Sequence, residues 1–484
     1  MNRWEESDNC SAANYSAGGQ VPARGAAGRI PVIGVGAGGL EAGQRAALSG
    51  CRCLVAAERY RGLVDELKAE FFPITPLDRA IETMARRREQ GDIGVVVGGD
   101  PLFFGIGRRL LTHFAPEQLE FRPAPTSVQL ACSRFGLPWD DAELLSLHGR
   151  NAGAPLPCGS YGTSGPSGHT HHGGRDATTQ MGRGKQGEQD RSGRLNPGGT
   201  ADRLASARLA ARLLAVPKSI LLTDPHWTPG RIATILQTTL DEVGAHGSAA
   251  SLRLMVAENL GAPDERLISG GLDEIAGQHF APLNVMIILK GKLGSDPKTA
   301  IFGLREGEIA HQRGMITKDE VRAISLHKLA LPAHGVLWDI GAASGSISLE
   351  AVRITPGLVA CAVEKEEQRL ADLKANIVNF ATFAVLPVAG TAPAVLSGLP
   401  DPDRIFIGGS GGCLAEIIAV GRERLPVGGR MVINGVTAAT KEQAPRLLQA
   451  AGLQVEIVEV AVRRLSTEGQ TRNFNPITVI TGTK

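Results

Sequence analysis

Two short stretches carry residue types able to grip a small charged ligand. In 336–350, VLWDIGAASGSISLE, the carboxylate Asp339 precedes Gly341, and Gly345 follows beyond Ala343. A second carboxylate, Glu364, ends the next apolar run, GLVACAVE. In 32–43, VIGVGAGGLEAG, the residues Gly34, Gly36 and Gly39 fit G-x-G-x-x-G. Glu58 then stands about where a ribose-binding acid follows such a loop.

The early stretch is spelled like a dinucleotide loop, and the later one is not. Ala343 takes the place of the middle glycine and Ser346 that of the third. A methyl group at Ala343 obstructs the close approach that a pyrophosphate needs. S-adenosylmethionine has no phosphate. It needs a turn admitting its amino-acid part, polar groups for its ammonium and a carboxylate for its ribose hydroxyls. Asp339 and the turn could serve the first needs, and Glu364 the last. The competing reading makes Asp339 a cap for the helix starting near Ser346. At the early loop an NAD site using Gly34, Gly36, Gly39 and Glu58 stays open, although any tight strand-to-helix turn favours glycine.

These residues need elements to hold them. From Arg29 onward strands and helices alternate: IPVIGV, a helix over LEAGQRAALS, CRCLVAA, a helix at 77–90, DIGVVVGG, a helix over GRRLLTHF, LEFRPA, a helix over SVQLACSRF, then ELLSLHG. Residues 151–200 break the rhythm. They contain no Ile, Val, Phe or Trp, cannot bury enough apolar area to offset chain entropy, and are expected to be a disordered insertion. The pattern resumes with helices at 201–214 and 229–243 and the strands SILLTD, SLRLMVAEN, ERLIS and LNVMIILK. A linker is expected at 294–313. Beyond it a helix near 317–330 leads into GVLWDIG, GLVACAVE, FAVLPVAG, DRIFIGG and GGRMVING, with LQVEIVEVAVRRL and PITVITGT as late edge strands. Successive parallel strands with intervening helices imply a doubly wound sheet. The expected division is a tail at 1–28, a first domain at 29–293 and a second at 314–484.

The bulk numbers narrow the function class. Fifty-one basic against 49 acidic residues leave a formal charge of +2, without the basic footprint of a nucleic-acid binder. Seven Cys form no CxxC pair, so a reduced cytoplasmic setting is expected. Cys51 and Cys53 flank Arg52 and should share one face of a strand. The first twenty residues lack an apolar signal core, and no run of eighteen apolar residues occurs, so neither secretion nor a membrane partner is expected. His169 to His172 lie inside the floppy insert with no further ligands, which makes an incidental polar tract the better reading than a metal site. No metal site is expected elsewhere.

The motifs also carry a family resemblance. GMITKDEVRAISLHKL, VLWDIGAASGSISLEA, VEKEEQRL, IFIGGSGG and LPVGGRMVINGVT together resemble the decarboxylating precorrin methyltransferases of cobalamin synthesis. Upstream, VIGVGAGG, VVGGDPLFFGIG, APTSVQLACSRFGLPWDD, SLHGR, LLTDP, ENLGAPDE and FAPLNVMII resemble the tetrapyrrole methylases. The two resemblances cover nearly everything from residue 30 to 484 except the insertion. They imply an α/β chain: an N-terminal two-lobed tetrapyrrole methylase fold, then a C-terminal Rossmann-like class I S-adenosylmethionine-dependent methyltransferase domain.

The implied donor is S-adenosylmethionine at two sites, one per domain, and the implied substrate a precorrin-6 class macrocycle. Carbon 5 would be methylated by the first domain. Carbon 15 would be methylated, and the ring C acetate decarboxylated, by the second. The resemblance places Gly36, Gly98, Gly99 and Asp100 around the first donor, with Thr126 and Ser127 in the following loop; Asn259 and Pro282 are weaker candidates. It carries over Thr317, Gly341, Glu364 and Ala392 as contacts of the second donor, beside Asp339 and Gly345 from the residue reading. Thr391 replaces the acid that relatives usually carry before Ala392. Gly408, Gly409, Ser410 and Gly411 are expected to face the macrocycle, and Arg463, Arg464 and Arg472 are candidates for its carboxylates. A homo-oligomer is expected. No acid or base is assigned, because a partly reduced tetrapyrrole is its own carbon nucleophile and its own electron sink. Two other classes remain to be separated: an NAD-dependent oxidoreductase using the early loop, and an RNA or protein methyltransferase using only the later one.

Overall fold

Continuous apolar runs, rather than alternating ones, mark strands covered on both faces. IPVIGV, CLVA and IGVVVG are such runs. They form β1 (Ile30–Val35), β2 (Cys53–Ala56) and, after the short edge strand β3 (Glu70–Pro73), β4 (Ile93–Gly98). With β5 (Leu119–Arg122) they build a parallel sheet in the order β3-β2-β4-β1-β5. Ile30, Val32, Val55 and Val95 pack in one cluster, and Ile33, Leu54 and Val96 in another, as alternation across a strand requires.

The structure is a computed structural model and describes residues 29–147, 199–291, 300–312 and 314–484. The expected tail at 1–28, nearly all of the 151–200 insertion and the His169–His172 run lie outside the described residues. The chain divides into two compact units, residues up to 139 with 259–266, and 140–258 with 267–484. The first sheet belongs to the former.

The second unit builds one sheet of five strands and one of seven. One runs β6-β7-β10-β8-β9, from β6 (Glu143–Ser146), β7 (Lys218–Leu222), β8 (Leu252–Glu258), β9 (Arg266–Gly270, whose first residue falls in the other unit) and β10 (Asn284–Lys290). The other contains β11 (His334–Ile340), β12 (Gly357–Glu364), β13 (Val385–Ala389), β14 (Arg404–Ile407) and β15 (Arg430–Gly435), all parallel. β16 (Gln454–Val460) follows, then the hairpin β17 (Arg463–Leu465) and β18 (Thr471–Asn473), and β19 (Ile477–Thr483), which runs antiparallel between β15 and β16. The order is β13-β12-β11-β14-β15-β19-β16. Strand order reverses at β11, so the crevice beyond the carboxyl ends of β11 and β14 is where such a sheet holds a ligand.

Between β13 and β14 stands only a short 3-10 turn, Ala394–Gly398, where a full helix could cover the sheet. The long helix Thr200–Ala215 contributes there. Its Leu209, Ala210, Leu213 and Leu214 lie in the cluster that includes Leu221 and Met286. Its Leu204 packs against the cluster of Val336, Trp338 and Cys361, and Arg208 donates to the Gly335 carbonyl at 3.4 Å.

Several local expectations differ from what forms. The sequence marks 294–313 as a linker, yet over 300–312 the chain packs down: Leu304 and Ile309 are buried in the core. GRRLLTHF yields a regular helix only at Gly107–Leu110, because the chain first folds tightly on itself, the Gly107 amide donating to the Pro101 carbonyl. LQVEIVEVAVRRL is two strands, since β16 pairs with β19 while β17 leaves to pair with β18. Cys51 and Cys53 do not share a face: the strand starts only at Cys53, and Cys51 packs with the opposite cluster. Among the described residues no helix is long and apolar enough to cross a membrane, and no group of three His, Cys, Asp or Glu is placed to hold a metal ion.

Candidate functional site

A cavity of about 690 Å³ opens at the carboxyl ends of β11, β12 and β14. Its floor is the loop after β11. Gly341 has φ +71°, and a Cβ there would lie 2.6 Å from the Gly409 carbonyl oxygen, so only glycine lets the two loops touch. The Gly341 and Ala342 amides donate to the Val363 carbonyl, both at 3.0 Å. Ala343 holds a left-handed φ of +48°, stabilised by its amide donating to Glu364 Oε2 at 2.8 Å. Gly345, at φ +78°, turns the chain into the helix Ser346–Ile354.

Asp339 and Glu364 are both buried beside this loop. Glu364 Oε1 accepts from the Lys365 and Glu366 amides at 2.9 and 3.0 Å, and Arg369 Nη1 stands 3.8 Å away. Asp339 Oδ2 accepts from the Ser348 amide at 3.2 Å and the Ser348 hydroxyl at 2.6 Å. The helix-cap reading of Asp339 therefore holds for this oxygen. Its other oxygen, Oδ1, is buried with no hydrogen-bond partner. Burial pushes the Asp339 carboxyl up to about 6; the Ser348 bonds pull it down and the Glu364 charge adds to the rise. A charged acceptor held in a cavity with one oxygen unanswered is a ready partner for a cationic ligand group.

Thr317, Ala392, Gly408, Gly409, Ser410 and Gly411 line the same cavity as Asp339, Gly341 and Glu364. The Gly408 and Gly409 amides donate to the Ile340 carbonyl at 2.9 and 3.3 Å, locking the GGSGG turn to the end of β11. Gly345 is not part of the wall: it faces the helix Glu367–Asn379, where a Cβ would meet Leu373 at 2.2 Å. Arg463 and Arg464 do not line the cavity either. Arg464 is matched to Glu320 by two 2.8 Å hydrogen bonds, with Asp319 3.6 Å and Glu306 3.9 Å away, so its charge is already answered. On that side Val462, Phe474, Asn475 and Ile477 reach the cavity, and Arg464 and Arg472 stack over the Phe474 ring at 5.0 and 4.8 Å.

Sequence reading missed Phe474, Arg369 and, behind the wall, Asn376. Asn376 is fully buried in the helix Glu367–Asn379, on the apolar stripe with Leu373 and Ile377. A polar residue at that helical spacing was the available signal.

In the first unit the expected residues also converge. Gly36 follows β1, Gly98 ends β4, and Gly99 and Asp100 come next; the loop after β5 brings Thr126 and Ser127 beside them. A Cβ on Gly99 would sit 3.3 Å from Thr126 Cα. The Gly99 amide donates to the Val35 carbonyl at 2.9 Å, and the Ala124 amide to the Gly99 carbonyl at 3.2 Å. Thr126 ends that loop and caps the helix Ser127–Phe135, which Ser127 begins; the Thr126 hydroxyl accepts from the Gln129 amide at 3.2 Å. Asp100 Oδ1 accepts from the Leu102 amide at 2.8 Å, a turn-forming bond. Asn259 holds Asp264 at 2.7 Å. Glu58, the acid a dinucleotide site would use, is instead exposed and paired with Arg61 at 2.5 Å.

Comparison with known proteins bears on both halves. Residues 29–160 match the tetrapyrrole (corrin/porphyrin) methylases, and residues 308–483 the precorrin methyltransferase domain. A precorrin-6Y C(5,15)-methyltransferase (decarboxylating) of Sinorhizobium sp is 30% identical over 423 residues, spanning 84% of this chain and 83% of its own length. This chain belongs to that family. A family member from Mycobacterium tuberculosis is 27% identical over 85% of this chain and 88% of its own. A probable cobalt-precorrin-6B C(15)-methyltransferase (decarboxylating) of Pyrobaculum calidifontis is 37% identical over 34% of this chain and 87% of its own length. Family membership sets aside the NAD-dependent oxidoreductase and the RNA or protein methyltransferase.

Proposed function

We propose that this chain is a bifunctional S-adenosylmethionine-dependent methyltransferase of cobalamin biosynthesis. It methylates carbons 5 and 15 of a precorrin-6 class macrocycle and releases the ring C acetate carboxyl as carbon dioxide. The observation that carries the reading is the full-length relationship to the C(5,15) enzymes, which spans both halves of the chain. A relative named for carbon 15 and decarboxylation alone is about as long as the C-terminal match. That supports giving these two steps to the C-terminal half and carbon 5 to the N-terminal half, each half with its own donor site.

S-adenosylmethionine, when bound, supplies an electrophilic methyl group. The cavity residues fit it: Asp339 Oδ1 is free to accept from an ammonium, Gly341 and the GGSGG turn leave room for an amino-acid chain, and Glu364 offers a carboxylate for ribose hydroxyls. Ala343 is tolerated because no phosphate must approach it. The loops hold acceptor carbon and donor in line and exclude water, and such positioning can supply roughly 7–11 kcal/mol. No strong base is assigned, since the reduced macrocycle provides electron-rich carbons. The conjugated ring also takes up the electron pair left by the departing carboxylate.

Isothermal titration of the full-length chain with S-adenosylhomocysteine tests the two-site reading. Two sites are expected in the parent and one each in Gly98→Val and Gly341→Val. A single site in the parent, or binding of NADH in place of S-adenosylhomocysteine, overturns it.

A further inference from the structure

Asn376 lies behind the cavity wall, and its side-chain amide ties together two segments that are distant in sequence. Nδ2 donates to the Ser344 carbonyl at 3.0 Å, in the middle of the loop that floors the cavity. The same Nδ2 donates to the Ala310 carbonyl at 2.8 Å, while Oδ1 accepts from the Ala310 amide at 2.9 Å. A second buried clamp fixes the same connector. Glu350 accepts from the Gly303 amide at 2.8 Å and from the Leu304 amide, and pairs with Arg322 Nε at 3.1 Å. Arg322 in turn donates to the carbonyls of Leu304 and Thr317, the latter at 3.0 Å. Both side chains of this pair are 1% exposed.

Over 300–312 the connector is therefore a fixed strap, and Gly314 to Lys318 are cavity wall. Asn376 is hydrogen-bonded to both the strap and the loop. A buried amide that loses a partner cannot recover it from water, so the Ser344 carbonyl is held in one orientation only while Nδ2 is present.

We propose that Asn376 is a positioning residue of the C-terminal donor site, setting the Gly341–Gly345 loop against the 300–312 strap. This rests on the reading that the cavity takes S-adenosylmethionine. The clamp at Arg322 and Glu350 anchors the strap, and Asn376 transmits that anchorage to the loop. Donor affinity depends on the join, whereas the carbon 5 reaction does not.

The test uses full-length chain carrying Asn376→Asp, a shape-conserving change that keeps the Oδ1 acceptor and removes both Nδ2 donations. Loss of two buried hydrogen bonds predicts a rise of about tenfold or more in the donor KM for carbon 15 methylation. The donor KM for carbon 5 methylation should stay within twofold. Leu448→Ala, in the core on the other side of the sheet, is the control for simple destabilisation and should lower Tm without moving either KM. If Asn376→Asp leaves the donor KM for carbon 15 methylation within twofold, or Leu448→Ala shifts it equally, the inference is wrong. Should Asn376→Asp fail to fold, hydrogen exchange of the Ala310 amide in the unaltered chain decides. S-adenosylhomocysteine should slow it several-fold, and an unchanged rate overturns the proposal. If the unaltered chain binds no S-adenosylhomocysteine in this cavity, the functional reading itself has failed, a result separate from the variant's.

Discussion

Replacing Asp339 with Asn probes the proposed donor site through a charge the fold holds at a disadvantage. The carboxyl is raised from 3.8 to about 6, chiefly by burial. At 1.36 kcal/mol per unit, ionised Asp339 costs the ligand-free fold about 3 kcal/mol at neutral pH. The sign follows from the direction of the shift. Because the folded value lies above the unfolded one, the stabilising contribution is fully present below about 3.8 and is lost as pH rises through about 6. Asparagine keeps an oxygen for Ser348 but buries an amide without an acceptor, which returns roughly 1–2 kcal/mol of that gain. Ligand-free Asp339→Asn should thus be about 1–2 kcal/mol more stable than the parent at pH 7.5, and the difference should change sign as pH falls toward 4, where only the amide's cost of about 1–2 kcal/mol remains. Binding should move the other way. In a Gly98→Val background, where only the C-terminal site is read, parent affinity for S-adenosylhomocysteine should fall about tenfold per pH unit below about 6. The Asn variant should bind weakly at every pH. Urea denaturation and calorimetry across pH 4 to 8 provide both readings. A ligand-free variant less stable than the parent at pH 7.5, joined to a pH-independent parent affinity, would refute the account of Asp339.

Two further outcomes are expected. Gly34→Ala should cost more than about 3 kcal/mol by urea denaturation, because its Cβ would fall 1.8 Å from the Gly99 carbonyl oxygen and 2.8 Å from the Ala124 amide nitrogen, both backbone. Arg464→Met should cost less than about 1 kcal/mol and leave S-adenosylhomocysteine affinity unchanged, since the partly exposed guanidinium serves Glu320 rather than the cavity; a clear loss of affinity by titration would contradict this.

The fold was legible wherever strands are covered on both faces, because their continuous apolar runs leave one reading: GLVACAVE forms β12 without a residue gained or lost. It was least legible at the periphery. β3 is a four-residue edge strand with no fully buried residue, so its pattern is faint. β17 exists because β18 pairs with it, a partnership that local propensity does not encode. At the site, loop and carboxylates were readable because their chemistry demands a spacing. Arg464 was misread because spacing says nothing of which acid stands opposite, and three acids stand there. Asn376 went unseen because its partners, Ala310 and Ser344, offer only backbone atoms.

The helix Thr200–Ala215 has a consequence for anyone dividing the chain. A cut near residue 300 looks clean in the sequence, yet it strips the downstream piece of the cover that Leu204 gives the Val336–Trp338 side of its sheet, and leaves Leu204 bare on the upstream piece. Each fragment then carries an adhesive spot. Liberated pieces should stick to one another or to their own kind, and the joined chain is the form in which each spot covers the other.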